Sequence, residues 1–251
     1  MVLWASASAK HAGWRPSWAV KRRGIVLCLI GLTVSGLACS AAAADCKSLP
    51  GPGVDWQDCN KRQLMIGGSD LKGGNLVDTD FASTDLSGAD LTAANLEKAT
   101  LVRASLAGAK ADKANFSRVE GYRGNFSGIS AESALFVSSE LQRADFSGAR
   151  LTGADFEKAE LGRANFGKAV VTGTRFSVAN LSRADLSGAV FEGPIDFDRA
   201  FLFLTRIEGL DLSAATGLTQ DQIDLACGDA ATKLPAGLAA PDKWPCPPDD
   251  D

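Results

Sequence analysis

The sequence predicts an all-β solenoid, and three features of one long stretch support that prediction. From residue 69 to residue 193 the chain repeats every five residues, and 21 of the 25 repeat centres from Leu71 to Phe191 are Leu or Phe. The residue two positions before each centre is mostly small, and it is Ala in 16 repeats. Between the two lies Asp or Asn 13 times. An amphipathic helix needs apolar residues three and four positions apart, and a half-buried strand needs an apolar residue at every second position. A period of five fits neither, but it fits short repeats that stack on one another.

The triplets Ala89-Asp90-Leu91 and Ala164-Asn165-Phe166 show the pattern in full. They resemble the A-[D/N]-[L/F]-x-x motif of the pentapeptide-repeat family. The resemblance implies a right-handed quadrilateral β-helix in which four repeats make one coil. With the centre written as i, it also implies that side chains i and i−2 point inward, while i−1, i+1 and i+2 point outward.

In such a helix, residues 20 apart stack in columns along the core. Seven of the phenylalanine centres then fall into two columns on opposite sides: Phe116, Phe136, Phe156 and Phe176 in one, Phe126, Phe146 and Phe166 in the other. Four centres are neither Leu nor Phe: Ala111, Gly121, Ala131 and Val171. Three of these lie beside the phenylalanines, which we interpret as volume compensation in a closely packed core.

After Phe191 the register shifts by one residue, which predicts an insertion near Pro194 and four further centres at residues 197, 202, 207 and 212. The repeats then occupy residues 69–216, about seven coils. Thr219 and Gln222 match a capping box and predict a short helix that covers the last coil. We therefore assign residues 217–251 to a C-terminal cap helix and an acidic tail.

Residues 1–44 have the order of a secretory signal peptide. They contain five basic and no acidic residues, then an apolar run from residue 24 to 38, then small residues before Asp45. We expect cleavage after Ala44 and a periplasmic or secreted protein. Two less favoured alternatives stay open: lipidation at Cys39, after a poor lipoprotein box, and an uncleaved anchor over residues 24–44. Arg22 and Arg23 match a twin-arginine signal poorly.

Four cysteines lie downstream of this leader, two on each side of the repeats: Cys46, Cys59, Cys227 and Cys246. Four cysteines allow three pairings. Because a solenoid holds its ends apart, we expect the local pairs 46–59 and 227–246, which agree with export. A zinc site is the rival interpretation, but two cysteines at each end without histidine leave each site short of ligands. Residues 45–68, with Trp56, are expected to form an N-terminal cap.

The chain offers little for catalysis. Its one histidine, His11, lies in the leader, and no phosphate-binding loop, metal-ligand cluster or nucleotide motif is present in the sequence. Nucleophilic catalysis usually needs a histidine, a perturbed lysine or an activated thiol. We therefore expect no enzyme activity, no catalytic or metal site, no cofactor and no small-molecule substrate.

One predicted side of the helix carries an arginine at i+2 on five consecutive coils, about 5 Å apart. This candidate interaction strip consists of Arg103, Arg123, Arg143, Arg163 and Arg183. Glu120, Glu140 and Glu160 precede the three central arginines by three residues. Either these acids neutralise the row as a surface network, or the row binds an anionic polymer. We favour neutralisation.

Two functions follow as hypotheses. The first is a non-enzymatic exported scaffold that presents flat faces to an unidentified protein or envelope component. The second comes from the resemblance, because some pentapeptide-repeat proteins resemble duplex DNA, bind DNA gyrase and give fluoroquinolone resistance. The net charge of −9 downstream of residue 44 agrees weakly with the second, whereas export and the arginine row argue against it. Nucleic acid is thus not an expected partner, membrane contact is expected only through the leader, and the oligomeric state is left open.

Overall fold

The computed structural model of the protein describes residues 44–247. The leader up to residue 43 and the last four residues lie outside this range, so the signal peptide, its cleavage, Cys39 and the anchor stay predictions. Between residues 44 and 247 there is no helix with the length and apolar character needed to cross a bilayer.

The chain winds into a stack of four-sided coils. Parallel bridges join residues 20 apart in sequence, from Asp55–Asn75 to Val170–Val190. Each repeat contributes one bridge residue at i−1 and a two-residue turn at i+1 and i+2. Longer strands are absent from the described part of the chain, and its α-helix, α1, spans Gln220–Leu225. A spacing of 20 residues with a five-residue repeat gives four repeats in each coil, as the resemblance implied.

The coils begin earlier than the sequence predicts. Asp55, Asn60 and Met65 already pair with residues 20 positions later, so residues 51–68 add close to one coil instead of forming a separate cap. The repeat motif does not identify this coil, because the inward centres of the coil include Trp56 and Lys61, where the motif has Leu or Phe. Bridges also continue into the predicted C-terminal cap, where Arg206 pairs with Cys227 and Asp211 with Lys233.

The phenylalanine columns stack as predicted. Ring centroids within the columns lie 4.5 Å apart for Phe136 and Phe156 and 5.1 Å apart for Phe146 and Phe166. Rings of opposite columns meet edge to face, as Phe146 does with Phe156 at 5.6 Å. Both arrangements are favoured by the quadrupole of the aromatic ring. All of these side chains are fully buried.

Two glycines make room for this core. A methyl group on Gly121 would lie 2.7 Å from Leu141 Cδ2, and one on Gly124 would lie 2.7 Å from Phe126 Cε2. Such distances are too short for carbon atoms in contact. The small centre at residue 121 therefore compensates for large neighbours, as we inferred from the sequence.

The register shift lies where the sequence places it. The bridge spacing changes from 20 to 21 residues between Val170–Val190 and Arg175–Asp196, so the extra residue falls in the segment 191–195. Leu202 is then a buried centre and Phe201, at i−1, is 49% exposed. Phe191 differs from the other centres in being only partly buried, because it enters the irregular segment that holds the insertion.

Backbone hydrogen bonding explains the preference for Asp and Asn at i−1. In the repeat centred at Phe146, the N–H groups of residues 145, 146, 148 and 149 donate to backbone carbonyls. The fifth, that of Ser147, donates instead to Oδ1 of Asp145 at 2.9 Å. The same bond recurs from Ser127 to Asn125 and from Ser187 to Asp185. The side chain at i−1 thus satisfies the N–H that the coil leaves unpaired.

A disulfide lies near each end of the stack. Cys46 is bonded to Cys59, and Cys227 is bonded to Cys246. At the first end Lys61 Nζ lies 3.8 Å from the centroid of the Trp56 ring and donates to the carbonyl of Cys46. Burial of this ammonium lowers the pKa of Lys61.

Helix α1 is anchored to the final coils by its first turn. Thr219 and Gln222 form the capping box that the sequence indicates, and Gln222 Nε2 donates to the carbonyls of Phe197 and Ala200 at 2.9 and 2.8 Å. Ile223 is fully buried on the same side. The helix therefore closes core surface that the last repeats would otherwise leave exposed.

Candidate interaction surface

The five arginines of the predicted strip lie on one side of the stack. We call this side the arginine face. It consists of the outward residues of the repeats centred at Leu101, Gly121, Leu141, Leu161, Leu181 and Leu202. Each of the five arginines is the second residue of its turn, with φ between 55° and 59°. This left-handed conformation is uncommon for residues other than glycine. It places the row along one edge of the face, where every member is exposed.

The neutralising pairs that we favoured are not formed. Within residues 44–247 none of the five arginines takes part in an ion pair. Glu120, Glu140 and Glu160, which we call the glutamate row, stand at the bridge position i−1, in the middle of the side. The arginines lie three residues later, in the turn at the corner, and the two rows do not pair.

Ion pairs elsewhere on the molecule show what the arginine face lacks. Glu97 at i+1 pairs with Arg118 on the next coil, and Glu132 at i+1 pairs in the same way with Arg150. Position i+1 is within reach of arginines at both i−1 and i+2. On the arginine face this position holds Tyr122, Gln142, Gly162 and Ser182, none of them acidic.

The glutamate row also leaves backbone donors free. In other repeats an Asp or Asn side chain at i−1 accepts from the backbone N–H at i+1. On the arginine face these i+1 residues are Tyr122, Gln142 and Gly162. Within the part of the chain that the structure describes, none of their N–H groups has a hydrogen-bond acceptor. Ser182, one coil further, is capped by Asn180 at 3.1 Å. Three successive coils of the arginine face thus offer an unpaired amide between the two charged rows.

Aromatic side chains lie exposed on the same face, and the sequence analysis missed them. Phe201 and Phe203 are 49% and 41% exposed, and their nearly parallel rings have centroids 6.3 Å apart. Tyr122 is 38% exposed, with the Arg123 guanidinium 5.4 Å from its ring centroid. The available signal was Phe on both sides of Leu202, at outward positions where most other repeats carry polar or small residues.

A shallow groove of about 410 Å³ runs over the C-terminal half of the arginine face. Its lining consists of Gln142, Gly162, Ser182, Phe203 and the arginines at positions 143, 163 and 183. The neighbouring side carries a second groove of about 630 Å³, formed by small polar residues, glycines and Lys168. Among the described residues no His, Cys, Asp or Glu side chains are grouped as metal ligands.

The repeats match a known family. The family model described as Pentapeptide repeats matches in eight copies over residues 67–101, 99–136, 139–177 and 159–193. The chain belongs to the pentapeptide repeat family. No curated protein sequence matches it significantly.

Solved pentapeptide repeat structures resemble this one. HetL, involved in heterocyst differentiation regulation in the cyanobacterium Nostoc sp. strain PCC 7120, is 25% identical over 74% of this chain and 91% of its own, with a TM-score of 0.51. QnrB1, a plasmid-mediated fluoroquinolone resistance protein, is 19% identical over 71% and 85%, with a TM-score of 0.43. A protein of the Arabidopsis thaliana thylakoid lumen is 30% identical over 45% and 77%, with a TM-score of 0.29. Family membership and the similarity to HetL identify the fold as a right-handed quadrilateral β-helix.

Proposed function

We propose that this protein is an exported, non-enzymatic scaffold whose rigid sides bind an envelope or extracellular component. The observation that carries the proposal is the continuity of the stack: bridges extend from Asp55 to Lys233, and a disulfide lies near each end. Such a stack has its core closed along its length. Other molecules can therefore bind only to the outer sides of the stack, where outward-pointing side chains recur at equivalent positions on every coil.

Two features support export. The order of basic, apolar and small residues in the leader is that of a secretory signal. Disulfides persist in oxidising compartments and are rare in the cytosol. The pairs 46–59 and 227–246 are the local ones that a stack with separated ends permits.

The surface chemistry supports binding without turnover. Histidine is absent downstream of residue 44, and all four cysteines of that region are bonded in pairs. The described chain therefore offers neither a histidine nor a free thiol as an activated nucleophile. Lys61, whose pKa is lowered by burial, lies over the Trp56 ring and donates to the carbonyl of Cys46. Pentapeptide repeat proteins are generally scaffolds, which agrees with this proposal.

A gyrase-binding mimic of DNA is the alternative. Such a mimic needs acidic surface along the rod, and the net charge of −9 downstream of residue 44 supplies acidic groups. The arginine face interrupts that surface on five consecutive coils. The mimic also requires a cytoplasmic protein, whereas the leader and both disulfides favour export.

Cell fractionation combined with N-terminal sequencing tests the proposal. We expect the native protein in the envelope or medium, with a mature N terminus at Asp45 and both disulfides formed. The oxidised protein, used as bait on an envelope fraction, is expected to retain a partner saturably. A matched bait with Ser147→Arg and Ser187→Arg on the second groove tests whether that side binds. A cytoplasmic protein that retains His11 and binds gyrase would contradict the scaffold and support the mimic.

A further inference from the structure

We propose that the groove over the C-terminal half of the arginine face binds a linear acidic polysaccharide. The sugar chain runs along the axis of the stack, and the arginines of consecutive coils bind its carboxylates. This inference deepens the proposed scaffold function and rests on it, because only an exported protein meets the polysaccharides of an envelope or of the medium.

The groove follows the turns of the arginine face from coil to coil. Its lining residues occupy only positions i+1 and i+2, on four consecutive coils. The groove therefore lies along the corner of the stack and is parallel to its axis. At a coil spacing of about 4.8 Å it is about 15 Å long, which suits a stretch of extended polymer better than a compact ligand.

The positive charge of this groove is not neutralised by any ion pair within residues 44–247. Three guanidinium groups line it, those of Arg143, Arg163 and Arg183, and none of its lining residues is acidic. On other sides an acid at i+1 pairs with an arginine of the next coil, as Glu97 does with Arg118. The three arginines are therefore free to bind acid groups of a ligand, and a guanidinium can bind a carboxylate through two parallel hydrogen bonds.

The glutamate row limits the width of the ligand. Glu140 and Glu160 stand in the middle of the side, at i−1, and do not line the groove. A broad acidic surface, such as that of a DNA duplex or a folded acidic protein, would also cover these carboxylates, and like charges brought together oppose binding. A single extended chain contacts the turns without covering the middle of the side.

The uncharged lining residues suit a sugar chain better than a single-stranded nucleic acid. Proteins that bind single strands stack successive bases on aromatic side chains. Of the described residues that line the groove, only Phe203 is aromatic, and the three coils before it present Gln142, Gly162 and Ser182. The Gln142 amide, the Ser182 hydroxyl and the free N–H groups of Gln142 and Gly162 provide hydrogen-bonding groups for sugar hydroxyls.

Titration of the purified, oxidised protein with polygalacturonate tests the inference. This linear polymer carries a carboxylate on every sugar, and its fully methyl-esterified form is the same chain without the charge. Calorimetry is expected to show binding of the acid form that weakens as salt is added, and no binding of the ester.

Two triple variants, each checked for folding by thermal unfolding, locate the site. The groove variant, with Arg143→Gln, Arg163→Gln and Arg183→Gln, is expected to bind polygalacturonate at least about tenfold more weakly than wild type. The matched control, with Arg118→Gln, Arg150→Gln and Arg175→Gln, removes the same charge from other sides and is expected to bind as wild type does.

A single isosteric change places an acid in the groove. Gln142→Glu puts a carboxylate at i+1, the position from which Glu97 reaches Arg118 on the next coil. The new carboxylate is expected to pair with Arg163 and to weaken polymer binding. Gln57→Glu makes the same change at i+1 on another side and is expected to leave binding unchanged.

The outcomes separate this inference from the scaffold function. Equal binding of the acid polymer and its ester, equal losses in the two triple variants, or no binding of either polygalacturonate or alginate would overturn the inference and leave the scaffold standing. Tighter binding of single-stranded DNA than of polygalacturonate, lost in the groove variant, would assign the groove to nucleic acid instead. The scaffold is tested by the location of the native protein, which these titrations do not measure.

Discussion

The side chain at i−1 is the usual acceptor for one backbone N–H of each repeat, the N–H at i+1; the N–H groups of Glu132 and Glu192 instead donate to Asp112 and Thr172 of the preceding coil. Asp and Asn are short enough to reach the N–H two residues later, as Asn125 does to Ser127 at 3.0 Å. Leu135 at the same position of another repeat has no polar atom to offer. The preference for Asp and Asn in the motif is therefore a hydrogen-bonding requirement of the turn, independent of any partner.

Asn125→Ala is expected to destabilise the protein by about 1 kcal/mol, the usual loss for a hydrogen bond of this kind. Asn125→Asp keeps the acceptor and is expected to restore most of the stability. Leu135→Ala is the control, since it truncates an exposed i−1 side chain without removing a bond, and it should stay within about 0.5 kcal/mol. Urea unfolding measures all three. Equal losses for Asn125→Ala and Leu135→Ala would contradict this role of the amide.

Asp211, near the C-terminal end of the stack, makes a pH-dependent contribution to the stability of the protein. Hydrogen bonds from Lys233 and Ser213 lower the pKa of Asp211 from 3.8 to about 2. Because the folded pKa is depressed, this contribution is present above pH 3.8 and is lost as the pH falls through about 2. Asp211→Asn should therefore lower stability at neutral pH. The difference in stability between the variant and the wild type should vanish as the pH falls to about 2. Asp242→Asn, at an exposed position, serves as the control. A difference that grows on acidification would contradict the assignment.

At the scale of the element, the core is two interlocked columns of rings rather than a set of independent repeats. Phe136 touches four other phenylalanines, stacked on Phe116 and Phe156 and edge to face with two rings of the opposite column. Phe201, only one residue from a buried centre, points to solvent. The five-residue register therefore determines which aromatic residues carry stability.

Phe136→Ala is expected to cost about 3–5 kcal/mol, as for other buried phenylalanines. Phe201→Ala should cost far less because the ring is half exposed. Denaturant unfolding of both variants provides the comparison. Similar losses would mean that the register shift does not lie in the segment 191–195.

Volume compensation can be tested as a pair. Gly124→Ala is expected to cost about 1–3 kcal/mol, because its methyl group would collide with the Phe126 ring. Combining it with Phe126→Leu removes the collision, so the double variant should lose less than the sum of the two single changes. Gly51→Ala, with no atom within 4 Å of the added methyl, is the control. If the two stability losses simply add in the double variant, Gly124 does not serve to make room for the Phe126 ring.

For the whole molecule, the stretch with Leu and Phe centres was predictable because each of its positions faces inward or outward by register alone. The first coil was not, since Trp56 and Lys61 replace Leu or Phe and are buried by contacts with the segment at residues 46–48. The structure places the five arginines in one row at i+2 but forms no ion pair between them and the glutamate row. Separation in sequence did not reveal that i−1 lies on the bridge and i+2 in the turn, nor that i+1 is the position from which an acid reaches an arginine.

The two disulfides should act locally, each on its own end of the stack. Each repeat contacts only its neighbours, so stability is a sum of repeat and interface contributions, and an end can open without the middle. Replacing Cys227 and Cys246 by Ser removes a cross-link over 19 residues, worth about 3 kcal/mol in the chain-entropy model. Hydrogen exchange should then accelerate around α1 and the last coils, while the coils around Phe136 and Phe146 keep their protection. Cys46→Ser with Cys59→Ser is the matched control and should accelerate exchange only at the opposite end. Uniform acceleration through the phenylalanine columns in either variant would show that the rod unfolds as a single cooperative unit.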